Sequence, residues 1–307
     1  MPRVAVTGGT GKAGRACIKD LLAHGYEVLN VDRAAPAEMP SPFLQADLTD
    51  FGQTVDALTK GPRGDGVDFV VHLAAILNKR ESDSVIFANN LLSTQNVFEA
   101  VRRLGIKNLV WASSDSILGV PFDVPPQYVP ADEESPGRPE SAYSLSKLLG
   151  EEMARQFCRW DPELKIIGLR FSNIMEPKDY EGFPAFDKDA KRRKWNLWGY
   201  VDVRDAAQAV RKALEAPLKG ARVFIIASAD TVMSRSNDEL LAEVFPGVPV
   251  RKKGLGPNET LVSIDKARRL LHYEPEHSWR NARDHEQAET ADMRSQHEHP
   301  TLPGSPK

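Results

Sequence analysis

Arg3-Val4-Ala5-Val6-Thr7, followed at once by Gly8-Gly9-Thr10-Gly11-Lys12-Ala13-Gly14, decides the fold of this 307-residue chain. A short apolar run, a glycine turn and then helical spacing over 12–24 read as strand, turn and helix in that order. Glycines at a strand end let the backbone turn sharply. They bring its N–H groups and the helix N-terminus against a pyrophosphate, and Gly14 lets helix and strand pack closely. The next strand-like run, Glu27 to Val31, is closed by Asp32, near the spacing of about 20 residues at which a carboxylate accepts the hydroxyls of an adenosine ribose. Such a carboxylate repels a 2′-phosphate and so points to NAD, while Arg33 beside it leaves NADP open. The expected dinucleotide contacts are Gly8, Thr10, Gly11, Lys12, Ala13, Asp32 and Arg33, with Asp47 and Leu48 after a third strand. Asp47 is suited either to capping a helix or to meeting the adenine edge.

Outward from this turn, strand candidates at Arg3 to Thr7, Glu27 to Val31, Phe43 to Ala46, Val67 to Leu73, Asn108 to Ala112 and Lys165 to Leu169 alternate with helices near 12–24, 51–59, 83–104 and 140–159. Strands alternating with crossover helices predict an α/β fold, a Rossmann-type doubly wound parallel sheet, over residues 1–170. Residues 171–279 carry a further strand at Arg222 to Ala227 and helices near 204–216 and 237–244, and read as a small C-terminal substrate lobe with the last sheet strand. Residues 280–307 are polar, show no periodic apolar face and read as a tail, disordered or loosely docked. His285, His297 and His299 lie in it and are expected to be solvated rather than metal ligands.

Composition removes several classes of function. Lys plus Arg number 40 against 43 Asp plus Glu, a net charge of −3, and no basic stripe supplies the footprint a nucleic acid needs. The densest basic cluster, Lys188 to Lys194, is interrupted by Asp189. No apolar run approaches the roughly 20 residues that cross a bilayer. The first residues enter a strand without a signal-peptide pattern, so a cytoplasmic location is expected. Cys17 and Cys158 fall in helical patterns with neither disulfide nor metal spacing.

Two further stretches carry chemistry: Ser113-Ser114 at the end of the fifth strand, and Tyr143-Ser144-Leu145-Ser146-Lys147 at the opening of a helix. Tyr143 and Lys147 stand four apart on one helix face and can meet. A lysine ammonium there favours phenolate over phenol and is expected to lower the tyrosine pKa from about 10. Tyr143 then serves as acid or base at a substrate hydroxyl or carbonyl, with Ser114 hydrogen-bonded to the same oxygen. Together with Thr7-Gly8-x-x-Gly11-x-x-Gly14, His72-Leu73-Ala74-Ala75 and Asn90-x-x-x-Thr94, this set resembles the extended short-chain dehydrogenase/reductase superfamily, the NAD-dependent epimerase/dehydratase type, over roughly residues 3 to 275. The resemblance implies hydride transfer to and from a nicotinamide. It implies that Lys147 and Tyr143 also border the nicotinamide ribose, that Leu73, Ala74, Ala75 and Asn90 lie near the cofactor, and that the helices near 83–104 and 140–159 form a homodimer interface.

The substrate side narrows the reaction. Nucleotide-sugar members have a long segment after the Arg-x-x-Asn motif, with an arginine for the diphosphate. Here Arg170-Phe171-Ser172-Asn173 is followed by a short segment, and Trp198-Gly199 stands where that arginine is expected. Dehydratases follow the catalytic hydroxyl with Asp-Glu, whereas this chain reads Ser114-Asp115-Ser116. The pattern is similar to that of uronate and free-sugar dehydrogenases. The expected activity is hydride transfer between NAD and a hydroxyl of a small sugar or sugar acid, with Asn78, Asp115, Ser116, Arg170, Asn173 and Trp198 in the substrate pocket. Arg170 suits a buried structural role as well as a substrate carboxylate, and Trp195 and Trp198 suit the lobe core equally. An epimerase or dehydratase that keeps its dinucleotide is the alternative. A non-catalytic dinucleotide sensor is the third reading, and the acid–base set argues against it.

Overall fold

Seven parallel strands form the central sheet of the computed structural model, which describes residues 1–38, 40–77 and 80–281. In chain order the elements are β1 (Arg3–Thr7), α1 (Lys12–Ala23), β2 (Glu27–Asp32), β3 (Phe43–Gln45), α2 (Phe51–Lys60), β4 (Phe69–His72), α3 (Asp83–Arg103), β5 (Asn108–Ser114), α4 (Ala142–Trp160), β6 (Lys165–Phe171), β7 (Ile174–Met175), β8 (Val201–Asp202), α5 (Val203–Glu215), β9 (Gly220–Ile226), α6 (Asn237–Val244) and α7 (Asp265–Leu271). The sheet order is β3-β2-β1-β4-β5-β6-β9, the doubly wound Rossmann-type arrangement expected, and it reverses direction between β1 and β4. At such a reversal the loops above neighbouring strands diverge and leave a crevice at the strand C-termini.

The inner strands are apolar on both faces because helices cover both. On one face Val4, Val6, Val71 and Ile167 pack with Cys17, Ile18 and Leu21 of α1 and Ala206, Ala209 and Val210 of α5. On the other, Ala5, Val70, Leu109 and Ile166 pack with Ala57 and Leu58 of α2, Val97 and Phe98 of α3 and Ala154 and Phe157 of α4. β5 and β6 run further than their apolar cores suggest, because the ladder continues through Ser113 opposite Arg170 and Ser114 opposite Phe171. β4 stops at His72, where the chain leaves the sheet to border the crevice.

Residues beyond Phe171 give β9 to the edge of the same sheet, beside β6, and build a smaller layer over the crevice from the β7–β8 pair and two runs of 3-10 turns at 177–188 and 190–196. Tyr180, Phe183, Trp198, Tyr200 and Trp279 form its buried aromatic centre. At residue 280, where the tail was expected to begin, Arg280 Nε donates to Asp230 Oδ2 at 3.0 Å. The tail beyond it, its three histidines and Asn78 lie outside the described residues. Among the described residues no helix is long and apolar enough to cross a membrane.

Candidate active site

The glycine turn is held open by contacts that only a missing side chain permits. Gly8 has φ +72°, and a Cβ there would lie 2.6 Å from the backbone nitrogen of Ala74; a Cβ on Gly14 would lie 2.2 Å from the Gly8 carbonyl oxygen. The first residue therefore brings β1 against the segment after β4, and the second brings α1 onto the turn. Helices α2, α3, α4, α5 and α6 have side-chain caps at their N-termini, whereas α1 starts at Gly11 without one. Its first N–H groups point at the crevice, where an anion can satisfy them.

The crevice is a cavity of about 750 Å³. Gly8, Thr10, Gly11, Lys12, Ala13, Asp32, Arg33, Asp47, Leu48, Leu73, Ala74 and Ala75 line it, as do Ser114, Asp115, Ser116, Tyr143, Lys147 and Asn173. At one end Asp32 Oδ2 accepts from the Thr10 N–H at 3.1 Å and from the Thr10 hydroxyl, while Oδ1 accepts from the Arg33 N–H at 2.7 Å. A carboxylate oriented in this way keeps lone pairs for ribose hydroxyls. Asp47 accepts from the Thr49 N–H and hydroxyl at 2.9 and 2.8 Å, which holds its carboxyl below the usual range and shapes the turn before α2. Lys12 is partly engaged, its Nζ lying 3.0 Å from Asp179 Oδ2.

Three expectations are corrected here. Asn90 does not line the cavity: its side chain accepts from the Ile76 N–H at 2.7 Å and donates to the Ile76 carbonyl at 3.0 Å, so it fixes the segment that does. His72 and Thr94 complete this support, with the imidazole between Thr7 Oγ1 at 2.7 Å and Thr94 Oγ1 at 3.3 Å. Burial lowers the His72 pKa to about 3, with Lys147 adding to the effect, so the ring is neutral at working pH. Arg170 is withdrawn from substrate: Nε and Nη2 each donate to Glu151 at 2.8 Å, and both side chains are buried. Trp198 is buried in the lobe, donates Nε1–H to the Ala190 carbonyl at 2.8 Å and packs edge-on against Phe245; Trp195 lines the cavity instead.

At the other end α4 presents Tyr143, Lys147 and Glu151 along one face, the i, i+4 repeat of a helix. Gly150 lets this helix reach β5, since a Cβ there would lie 2.6 Å from the Trp111 ring. Lys147 Nζ donates to the Ala112 carbonyl at 2.7 Å and sits 5.5 Å from the centroid of the Tyr143 ring. Burial lowers its pKa to about 8. The expected lowering of the Tyr143 pKa is overturned: burial raises it first, Asp115 raises it further, and the Ser114 hydroxyl only partly offsets both. The resting group is a phenol. Sequence reasoning also missed Ser172, Phe171, Ile174 and Trp195 on the cavity wall, which no periodic signal distinguishes.

Residues 4–227 match the model of the NAD dependent epimerase/dehydratase family. The chain belongs to the NAD-dependent epimerase/dehydratase family. Relatives within it include UDP-glucose 4-epimerase 2 of Arabidopsis thaliana, 31% identical over 196 residues that span 58% of this chain and 54% of that one, about half its length. L-arabinose 1-dehydrogenase (NAD(P)(+)) of Haloferax volcanii is 29% identical over 226 residues, 71% of this chain and 84% of that protein. Among solved structures, a mutated uronate dehydrogenase superposes with a TM-score of 0.65 at 23% identity, covering 92% of this chain and 85% of the other, and shares the fold. The glycine turn, the uncapped α1 and Asp32 fit an NAD cofactor.

Proposed function

We propose that this enzyme oxidises a hydroxyl of a small free sugar or sugar acid to the carbonyl. The observation that carries this reading is the cation content of the cavity. Its lining cations are Lys12, Arg33 and Lys147, and the substrate wall beyond Tyr143 has none among the described residues. A nucleotide diphosphate has no guanidinium or ammonium there to hold it. NAD, when bound, supplies the acceptor for the hydride that leaves the carbinol carbon. The Ser114 hydroxyl orients the substrate oxygen; Tyr143, a phenol at rest, gives its own proton up to solvent, the Lys147 ammonium beside it favouring the phenolate, and the phenolate then takes the substrate proton as the hydride leaves. The reverse direction uses the same phenol as acid.

The reading is tested by nicotinamide absorbance on purified protein offered NAD with free aldoses, uronates and polyols. Net reduction with a free sugar or sugar acid supports it. Its absence, with dinucleotide bound and not exchanged, transfers the chain to the epimerase reading that several relatives' names carry. Cofactor choice is read in the same assay. Asp32→Ala removes the anion that faces a 2′-phosphate and leaves Arg33, so the preference for NAD over NADP falls by at least about fivefold, the size of one charge–charge interaction of ~1–4 kcal/mol near a protein surface. Unchanged preference would show that Asp32 does not meet the ribose.

A homodimer fits the same picture. Val85 and Leu92 on α3 and Leu145 and Leu149 on α4 are exposed apolar side chains on the two helices expected at the interface. Leu149→Glu is expected to convert a dimer to a monomer in light scattering at micromolar protein, because burying a carboxylate without a partner opposes association. A wild-type chain already monomeric at that concentration refutes the assignment.

A further inference from the structure

The start of α1 is unusual in its charge. α3, α5, α6 and α7 each have an acidic residue in the first turn, whereas α1 has none and carries Lys12 and Arg15 there. Cations at a helix N-terminus add to the positive end of its dipole instead of balancing it. The balancing carboxylates come from far along the chain, in the segment that follows β7. Lys12 Nζ lies 3.0 Å from Asp179 Oδ2 and donates to the Ile174 carbonyl at 3.3 Å, and Arg15 Nη2 lies 3.2 Å from Glu176 Oε1. Asp179 is fixed by the Glu176 N–H, which donates to the same Oδ2 at 2.8 Å. Of these four side chains Lys12 alone lines the cavity, next to the glycine turn that fits a pyrophosphate. Its ammonium therefore has two claimants, the carboxylate of Asp179 and the diphosphate of the cofactor. The side chains of Lys12 and Asp179 are 39% and 29% exposed, and an ion pair so open to water is weak enough for a doubly charged anion to draw the lysine off.

We propose that Asp179 competes with the dinucleotide pyrophosphate for Lys12 and thereby weakens the hold of the crevice on NAD and NADH. When the cofactor binds, the ammonium is shared or surrendered, and Asp179 is left short of its cation beside the same helix terminus; both effects cost affinity. When the cofactor leaves, Asp179 takes the ammonium back, so no bare cation remains at the positive end of α1. Release is faster than it would be from a crevice whose lysine had no other partner. The inference concerns the cofactor and is independent of which sugar reacts. It goes beyond the dehydrogenase reading by naming a residue outside the cavity that keeps the cofactor exchangeable.

The test is NADH binding, followed by nicotinamide fluorescence at low ionic strength, with dissociation timed by stopped flow after a chase of excess NAD. Asp179→Asn keeps an oxygen for the Glu176 N–H and removes the charge. It is expected to tighten NADH by about threefold, chiefly through slower dissociation, the scale of one exposed ion pair. Salt at about 0.5 M is expected to erase most of that gain. As displacers of NADH, ADP-ribose should show the same tightening, and adenosine, which has no diphosphate, should bind wild type and variant alike. Lys12→Met should weaken NADH. The sign separates the effect from damage, because a distorted crevice binds NADH more weakly and not more tightly. Unchanged or weaker NADH binding in Asp179→Asn overturns the inference, as does an equal gain for adenosine or a Lys12→Met variant that binds NADH as wild type does. If any of these occurs while a free sugar still reduces NAD, the inference fails alone and the dehydrogenase reading stands. A wild-type protein that never exchanges its dinucleotide overturns both.

Discussion

Tyr143→Phe is expected to lower kcat by about 10³-fold, within the 10²–10⁴ range that a positioned acid–base group supplies, while NAD affinity changes by no more than about threefold. The substitution removes one oxygen and keeps the ring that packs beside Lys147, whose ammonium stays on the Ala112 carbonyl. Binding and chemistry are therefore separable in this variant. The size of the loss follows from the environment of the phenol. Burial and Asp115 hold its proton on, with Ser114 partly opposing, so no hydroxide-like group is stored in the cavity beforehand. The phenol must therefore lose its own proton to solvent before it takes that of the substrate, and the group that relays the proton is indispensable. Stopped-flow absorbance with equilibrium binding of NAD checks both halves. A Phe variant retaining more than about a tenth of wild-type kcat would pass the role to another titratable group of the cavity wall, such as Asp115.

Glu151→Ala is expected to be the most damaging single change for stability, by about 3–5 kcal/mol, the cost of leaving a buried charge without its partner. Glu151 accepts from Arg170 Nε and Nη2 at 2.8 Å each and from the Ser113 hydroxyl at 2.7 Å. The pair has side-chain exposures of 6% and 1%, so the orphaned guanidinium has almost no access to water. Glu133 reaches Arg170 only at longer range. Denaturant unfolding at pH 7 measures the loss. Replacing both residues by leucine should restore much of the stability, because the deficit comes from the uncompensated charge rather than from the absence of an ion pair. A single variant as stable as wild type would show that β6 tolerates Arg170 alone, and with it that the clamp joining α4 to β6 contributes little.

The two predictions mark how far the residues could be read in order. The strand–turn–helix at the amino terminus, the alternation of strands with crossover helices and the Tyr143–Lys147 pair are local patterns, set by a period of two or of 3.6 and by the conformational freedom of glycine. They required no knowledge of neighbours. Strand ends were less legible, and β5 and β6 reach Ser114 and Phe171 through pairing with each other rather than through their own polar residues.

What the sequence by itself determined was the doubly wound sheet, the glycine turn with Asp32 beside it, and the identity of the serine, tyrosine and lysine at the far end of the crevice. What only the tertiary structure decided was which way the remaining polar and aromatic side chains point. Arg170 faces Glu151 rather than substrate, Asn90 braces a loop rather than touching the crevice, Trp198 is core while Trp195 is wall, and Tyr143 keeps its proton despite its lysine. In each case the outcome depends on burial and on a partner distant in the chain. Desolvation and long-range pairing are properties of packed elements, and neither leaves a period or a spacing in the order of residues.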